Sequence, residues 1–244
     1  MFFKLINKKT FLFCGLVSIL LGITVCIMDY DTILFDPQIN NFTNIHDGNI
    51  NEFDVRLFSK VLNVLVIFPF ALQILTDHKA TNEIYIVSRM SNSSSFYYVR
   101  FIQIAILCLF ESLIYNSSML VTYLVLGKSE TLQKLALIVA YSILINFLVS
   151  LVFASLIQLF SVVLNEKAAL SMIILLFCFC FIGGFFVPNK ISAIWITNFY
   201  FITPIFKESV LYSANGYLTI IASSVTAAII TAIGSFIYRR KDHI

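Results

Sequence analysis

The sequence predicts an all-α integral membrane protein with six transmembrane helices and both termini on the cytoplasmic side. Composition is the first reason. Of 244 residues, 59% are hydrophobic and 12% charged, with a mean hydropathy of +0.93; a soluble domain has roughly 45–50% and about 25%. Pattern is the second. Apolar residues gather in runs at about 10–28, 57–76, 101–126, 135–164, 168–187 and 217–238, and about 20 residues cross a hydrocarbon core about 30 Å thick. Backbone groups in lipid bond internally, and runs without strict alternation choose helices over a closed barrel. Residues 1–244 read as one transmembrane domain.

Taken in order, the chain opens with Met1-Phe2-Phe3-Lys4 through Lys8-Lys9, a mixture of aromatics and lysines that suits either an interfacial helix or a plain positive flank. The first run resembles a signal peptide in its flank. It is too long for an apolar signal core, and no small-residue cleavage site follows Met28, so a retained helix is expected. The loop 29–56 carries Asp29, Asp31, Asp36, Asp47, Glu52 and Asp54. It reads as a solvated face, or as a surface that attracts a cationic peptide.

The fourth run exceeds a straight crossing, so it tilts or extends past the bilayer. Only Asn165-Glu166-Lys167 separates it from the fifth, which predicts a tight turn between antiparallel helices. Before the last run, Gly183-Gly184 and Pro188 precede Trp195, Phe199-Tyr200-Phe201 and Pro204. This stretch is too apolar for a free loop and is broken by proline, which disfavours helix at the residue before it. A re-entrant or interfacial hairpin on the outer side is expected, anchored by aromatics.

Basic residues concentrate on the cytoplasmic side. With the N-terminus inside, that side holds Lys4, Lys8, Lys9, Lys79, Arg89, Arg100, Lys167, Arg239, Arg240 and Lys241, against Arg56, Lys60, Lys128, Lys134, Lys190 and Lys207 outside. The net charge of +3 is thus a topology signal, and no nucleic-acid partner is expected.

Little in the chain suggests catalysis. His46, His78 and His243 fall outside the runs, and Glu111 is the only acid well inside one. Cys14, Cys26, Cys108, Cys178 and Cys180 lie within runs, without metal-ligand spacing to a histidine. No glycine loop for nucleotide phosphates is present. Neither catalytic residue, metal nor cofactor is therefore expected on this chain. Glu111 itself needs explanation, because a charge at the bilayer centre costs about 2.5–3.5 kcal/mol on insertion scales. On a helix, Gln103 and Glu111 are about 80° apart, and Glu111 and Asn116 about 140°, so they do not form one tight stripe. Asn63, Gln73, Asn146 and Gln158 are further embedded amides. Two readings stand: hydrogen bonds between helices, or a translocation path or subunit interface lined by Glu111, Gln103 and Asn146.

The polar island Asp77–Arg100 is the main interruption on the cytoplasmic side. It offers an amphipathic stretch, Glu83-Ile84-Tyr85-Ile86-Val87-Ser88-Arg89, then a serine cluster and Phe96-Tyr97-Tyr98-Val99-Arg100. Six spans with both termini inside, the lysine-rich start, this loop and the broken Pro188…Trp195…Pro204 segment together resemble the permease subunit of ABC exporters of the ABC-2 type. Arg100 stands where many relatives have lysine. The resemblance implies that Glu83, Ile84, Tyr85, Val87, Ser88 and Arg89 belong to a coupling helix seated on an ATPase. It also implies two ATPase subunits that carry ATP and magnesium, a second permease copy in a homodimer, and an extracellular hairpin at Pro188–Asn215. In size and composition the chain is similar to small bacterial permeases of the lantibiotic-immunity and phenol-soluble-modulin exporter kind. That likeness implies a plasma-membrane location and an amphipathic peptide substrate. A membrane scaffold or immunity protein that sequesters peptide without transport is the alternative.

Overall fold

A computed structural model describes residues 8–28, 65–75, 93–126, 132–186 and 214–241. These residues form six α-helices and no strand: α1 Lys8–Met28, α2 Leu65–Leu75, α3 Ser93–Val125, α4 Leu132–Val163, α5 Glu166–Phe186 and α6 Ala214–Lys241. Three contain stretches long and apolar enough to cross a membrane, Ser95–Val125, Ser142–Val163 and Ile220–Arg240. Shorter apolar stretches occupy Lys9–Thr24, Leu65–Leu75 and Lys167–Leu176. Among the described residues the fold is all-helical, and its three long apolar helices are those of a membrane protein.

The bundle is built around α3 and α4. Along α3, Ile104, Leu107, Cys108, Glu111, Ser112, Tyr115, Asn116 and Met119 are buried while Ile102, Leu109, Leu113 and Val121 face outward. That three-and-four spacing is the inward face of a helix. In α4 every residue from Leu148 to Ser155 is buried, so neighbours surround its middle on all sides. A helix apolar all round its circumference suits that place. Phe68 of α2 meets Phe153 of α4 with ring centroids 5.9 Å apart, and Phe70 meets Phe13 of α1 at 6.0 Å. Ile67, Phe68, Ala71 and Leu75 thereby join Cys14, Ile104, Leu107, Ile145, Val149 and Ile157 in one core cluster.

Contacts between helices fix their directions. Phe11 meets Phe110 at 4.8 Å, while Gly22 lies against Tyr115 and Ser118, so α1 and α3 run parallel. Ser142 bonds Asn116 and Gln158 bonds Tyr97, so α4 runs antiparallel to α3. The last turns of α6 meet the first turns of α3 through Tyr238 with Phe96 and Ser235 with Tyr98. Consequently the start of α1, the start of α3, the end of α4 and the end of α6 share one end of the bundle. That end carries Lys8, Lys9, Arg100, Lys167, Arg239, Arg240 and Lys241.

The turn between α4 and α5 is short and capped. Leu164 N–H closes the last turn of α4 on the Phe160 carbonyl at 2.7 Å. Asn165 Oδ1 then accepts the Ala168 N–H at 2.8 Å, satisfying a donor that a helix start leaves unpaired. The helices also differ from the apolar runs at their ends. Where the sequence suggested a third span from residue 101, helix begins at Ser93, because Phe96 and Tyr97 are buried against α6 and extend the packed face backward. Cys14, Cys26 and Cys108 are buried, but Cys178 is exposed on α5, beside the equally exposed Leu175 and Phe179.

Candidate functional site

Polar side chains in this core are few and handled in two ways. Most hydroxyls bond a carbonyl of their own helix: Ser18 to Cys14 at 2.8 Å, Thr122 to Ser118 at 2.8 Å, Ser155 to Val152 at 2.7 Å and Thr231 to Ala227 at 2.7 Å. Such back-bonding lets serine and threonine sit in apolar surroundings without a neighbour's help. The buried hydroxyls of Thr10, Ser150 and Ser223 make no hydrogen bond among the described residues. The polar side chains that reach between helices form two groups, one midway along α3 and one at the basic end.

In the middle group Glu111 has an exposure of 0%. Ser112 Oγ donates to its Oε2 at 3.3 Å, and Asn116 Nδ2 donates to the Ser112 carbonyl at 2.7 Å. Ser142 Oγ of α4 completes the series by donating to Asn116 Oδ1 at 2.8 Å. Cys14 of α1 and Cys108, one turn before Glu111, belong to the apolar wall around it. The carboxyl group is therefore linked to α4 indirectly, through Ser112, whose hydroxyl meets the carboxyl and whose main-chain carbonyl meets Asn116, with α1 on its other side. Gln103 is also buried, two turns nearer the basic end, and Asn146 is half-buried on α4. No hydrogen bond among the described residues joins Gln103 or Asn146 to Glu111.

At the basic end Arg100 is only 6% exposed, with its guanidinium carbon 4.3 Å from the centroid of Phe96. Stacking on an aromatic face suits the weakly hydrated guanidinium better than an ammonium. Tyr97 lies against α6, its ring 6.0 Å from that of Tyr238. Gln158 Nε2 of α4 donates to the Tyr97 carbonyl at 2.9 Å. Ser235 Oγ already donates to the Ala232 carbonyl at 2.9 Å, so Tyr98 O–H is the donor in their 3.1 Å contact. Farther out, Arg240 stacks on Phe236 at 4.4 Å.

Glu83, Ile84, Tyr85, Val87, Ser88 and Arg89 lie outside the described residues, as do Pro188, Trp195 and Pro204. Of the sequence-derived candidates, Glu111 and Gln103 are buried on α3, and Asn146 takes no described part in the polar bridge. Ser112, Ser142 and Tyr97 were missed. The spacing of Ser112 and Asn116, four apart and beside Glu111, was the available signal for the first. Nothing in the local sequence marks Ser142, which matters only because α4 brings it opposite Asn116. No family model, no curated protein and no solved structure matches this chain.

Proposed function

We propose that this chain is the membrane-spanning permease subunit of an ATP-driven exporter that moves a hydrophobic or amphipathic peptide outward, with ATP hydrolysed on a separate subunit. One observation carries the reading. The chain of the polar island enters α3 at the end of the bundle where the basic residues gather, so a partner that docks on Glu83–Arg89 pulls directly on the central helix. Basic residues of that kind favour the cytoplasmic face, which is where an ATPase would sit.

Helix directions support six crossings. Because α1 and α3 are parallel, the intervening chain has to return across the bundle, and α2 lies in that stretch with one face in the core. Likewise α4 ends and α6 ends at the same face, which leaves α5 for the return. At 21 residues each, α1 and α5 are about 31 Å long, enough for a hydrocarbon core. In this scheme both termini are cytoplasmic, a second copy completes the permease, and Glu111 sits halfway along the path of motion.

The test is co-purification with the ATPase of a neighbouring reading frame, followed by transport of a labelled peptide into inverted vesicles. Charge-reversal of Glu83 and Arg89 together is expected to abolish ATPase association. If association survives that change, or no ATPase is bound by the unaltered chain, the transport reading fails. Peptide binding without ATP-dependent uptake would instead favour a sequestering scaffold.

A further inference from the structure

Three helices are fastened at the basic end through one residue. The Tyr97 carbonyl of α3 accepts Gln158 of α4 at 2.9 Å, and its ring packs on Tyr238 of α6. The Tyr97 hydroxyl rests on Gly234, where even a Cβ would overlap it. Tyr98 adds a second tie to α6 through Ser235. The fastening is nonetheless incomplete. Tyr97 and Gln158 are each 1% exposed, yet the Tyr97 hydroxyl and the Gln158 Oε1 make no hydrogen bond among the described residues. A buried polar atom that leaves water without gaining a partner destabilises the arrangement that holds it. For packing alone, phenylalanine would fill the same seat without that cost. A junction that is tightly packed but under-bonded has a second arrangement within reach, and motion passes through elements with two discrete arrangements.

We propose that Tyr97 is the latch of a two-state junction between α3, α4 and α6. In the closed arrangement the phenol is seated on Gly234 and α6 is held to α3. In the open arrangement the phenol leaves that seat, the Tyr97 hydroxyl and the Gln158 Oε1 take hydrogen bonds from water at the basic end, and α6 separates from the α3–α4 pair. The lever is the start of α3 at Ser93, four residues beyond Arg89. The latch goes beyond the transport reading, which supplies only one way of pulling that lever.

The full-length chain in lipid nanodiscs, with its own cysteines replaced by alanine, carries spin labels at the outward-facing positions Ile102→Cys and Ile233→Cys. Two distances are expected. Tyr97→Phe should leave the thermal midpoint unchanged or raised and lower the longer-distance population about fivefold, the loss of roughly one net hydrogen bond. Gly234→Ala should shift the population toward the longer distance. A single distance in every variant, an unchanged ratio in Tyr97→Phe, or a midpoint lowered by Tyr97→Phe would each overturn the latch. No ATPase is present in this measurement, so failure of ATPase association leaves the latch standing and failure of the latch leaves the transport reading standing.

Discussion

Gln158 on α4 and Tyr97 on α3 are 61 residues apart in the chain, and the amide of the first donates to the backbone carbonyl of the second at 2.9 Å. With the Ser142–Asn116 bond at the other end of the same pair, it marks the antiparallel run of the two central helices. The carbonyl end of Gln158 is left without a hydrogen bond among the described residues, so the interaction carries both a gain and a cost.

Replacing Gln158 by leucine removes both, and the change in stability is expected to stay below about 1 kcal/mol. Alanine at the same place also leaves a cavity and should cost about 2 kcal/mol or more. Thermal unfolding of the two variants in detergent separates the hydrogen bond from the packing. Equal losses would mean that the bond, and not the volume, matters.

Gly22 is where α1 comes closest to α3. A Cβ there would overlap the Ser118 hydroxyl and press within 2.8 Å of the Tyr115 carbonyl oxygen, and backbone cannot swing away. Gly22→Ala is expected to cost about 1–3 kcal/mol, as overpacking does. Adding Ser118→Ala should recover only part of it, because the carbonyl contact and the Ser118 Cβ at 3.2 Å persist. Full recovery in the double variant would show that the side chain was the whole obstacle.

For Asn116 and Ser142, a double-mutant cycle with alanine should give a coupling of about 0.6–2 kcal/mol, the range for hydrogen bonds between membrane helices. Denaturant unfolding of the four proteins measures it. No coupling would mean that the 2.8 Å contact contributes nothing net.

Glu111→Gln preserves the volume and the acceptor for Ser112, so folding is expected to survive. On the transport reading, ATP-driven peptide uptake should fall at least about tenfold, an order-of-magnitude expectation for a functional ionisable group in the membrane. Uptake unchanged in both Glu111→Gln and Glu111→Ala would leave the residue a packing element alone.

Cysteine placed at Lys9, Lys167 or Arg240 is expected to react with a membrane-impermeant thiol reagent from one and the same face, since all three are exposed at one end of the bundle. Inverted vesicles should label and intact cells should not. Labelling from opposite faces would break the six-crossing scheme.

Much of the helical framework was legible in the chain because hydrophobic length is a local property. The runs at 101–126 and 135–164 differ from α3 and α4 only at their ends, and Asn165-Glu166-Lys167 announced a turn that Asn165 does cap. Arg100 entered the sequence reading only as a basic residue just before the third run; in the structure it lies inside α3, buried, with its guanidinium on Phe96, because the aromatic residues before it pack and carry the helix backward. The candidate site was legible in part. Glu111 stands out in any hydropathy reading, whereas Ser142, Gln158 and Gly234 acquire their roles from partners 26, 61 and 137 residues away.

By itself, then, the sequence determined that this is an all-helical membrane protein, which segments are apolar and where the positive charges fall along it, since transfer from water and backbone bonding act residue by residue and turn by turn. Tertiary structure decided which polar atoms meet. The parallel run of α1 with α3, the Glu111–Ser112–Asn116–Ser142 bridge and the seat of Tyr97 on Gly234 all depend on the register between distant helices. That register comes from close packing of many side chains at once, and no single stretch of chain encodes it.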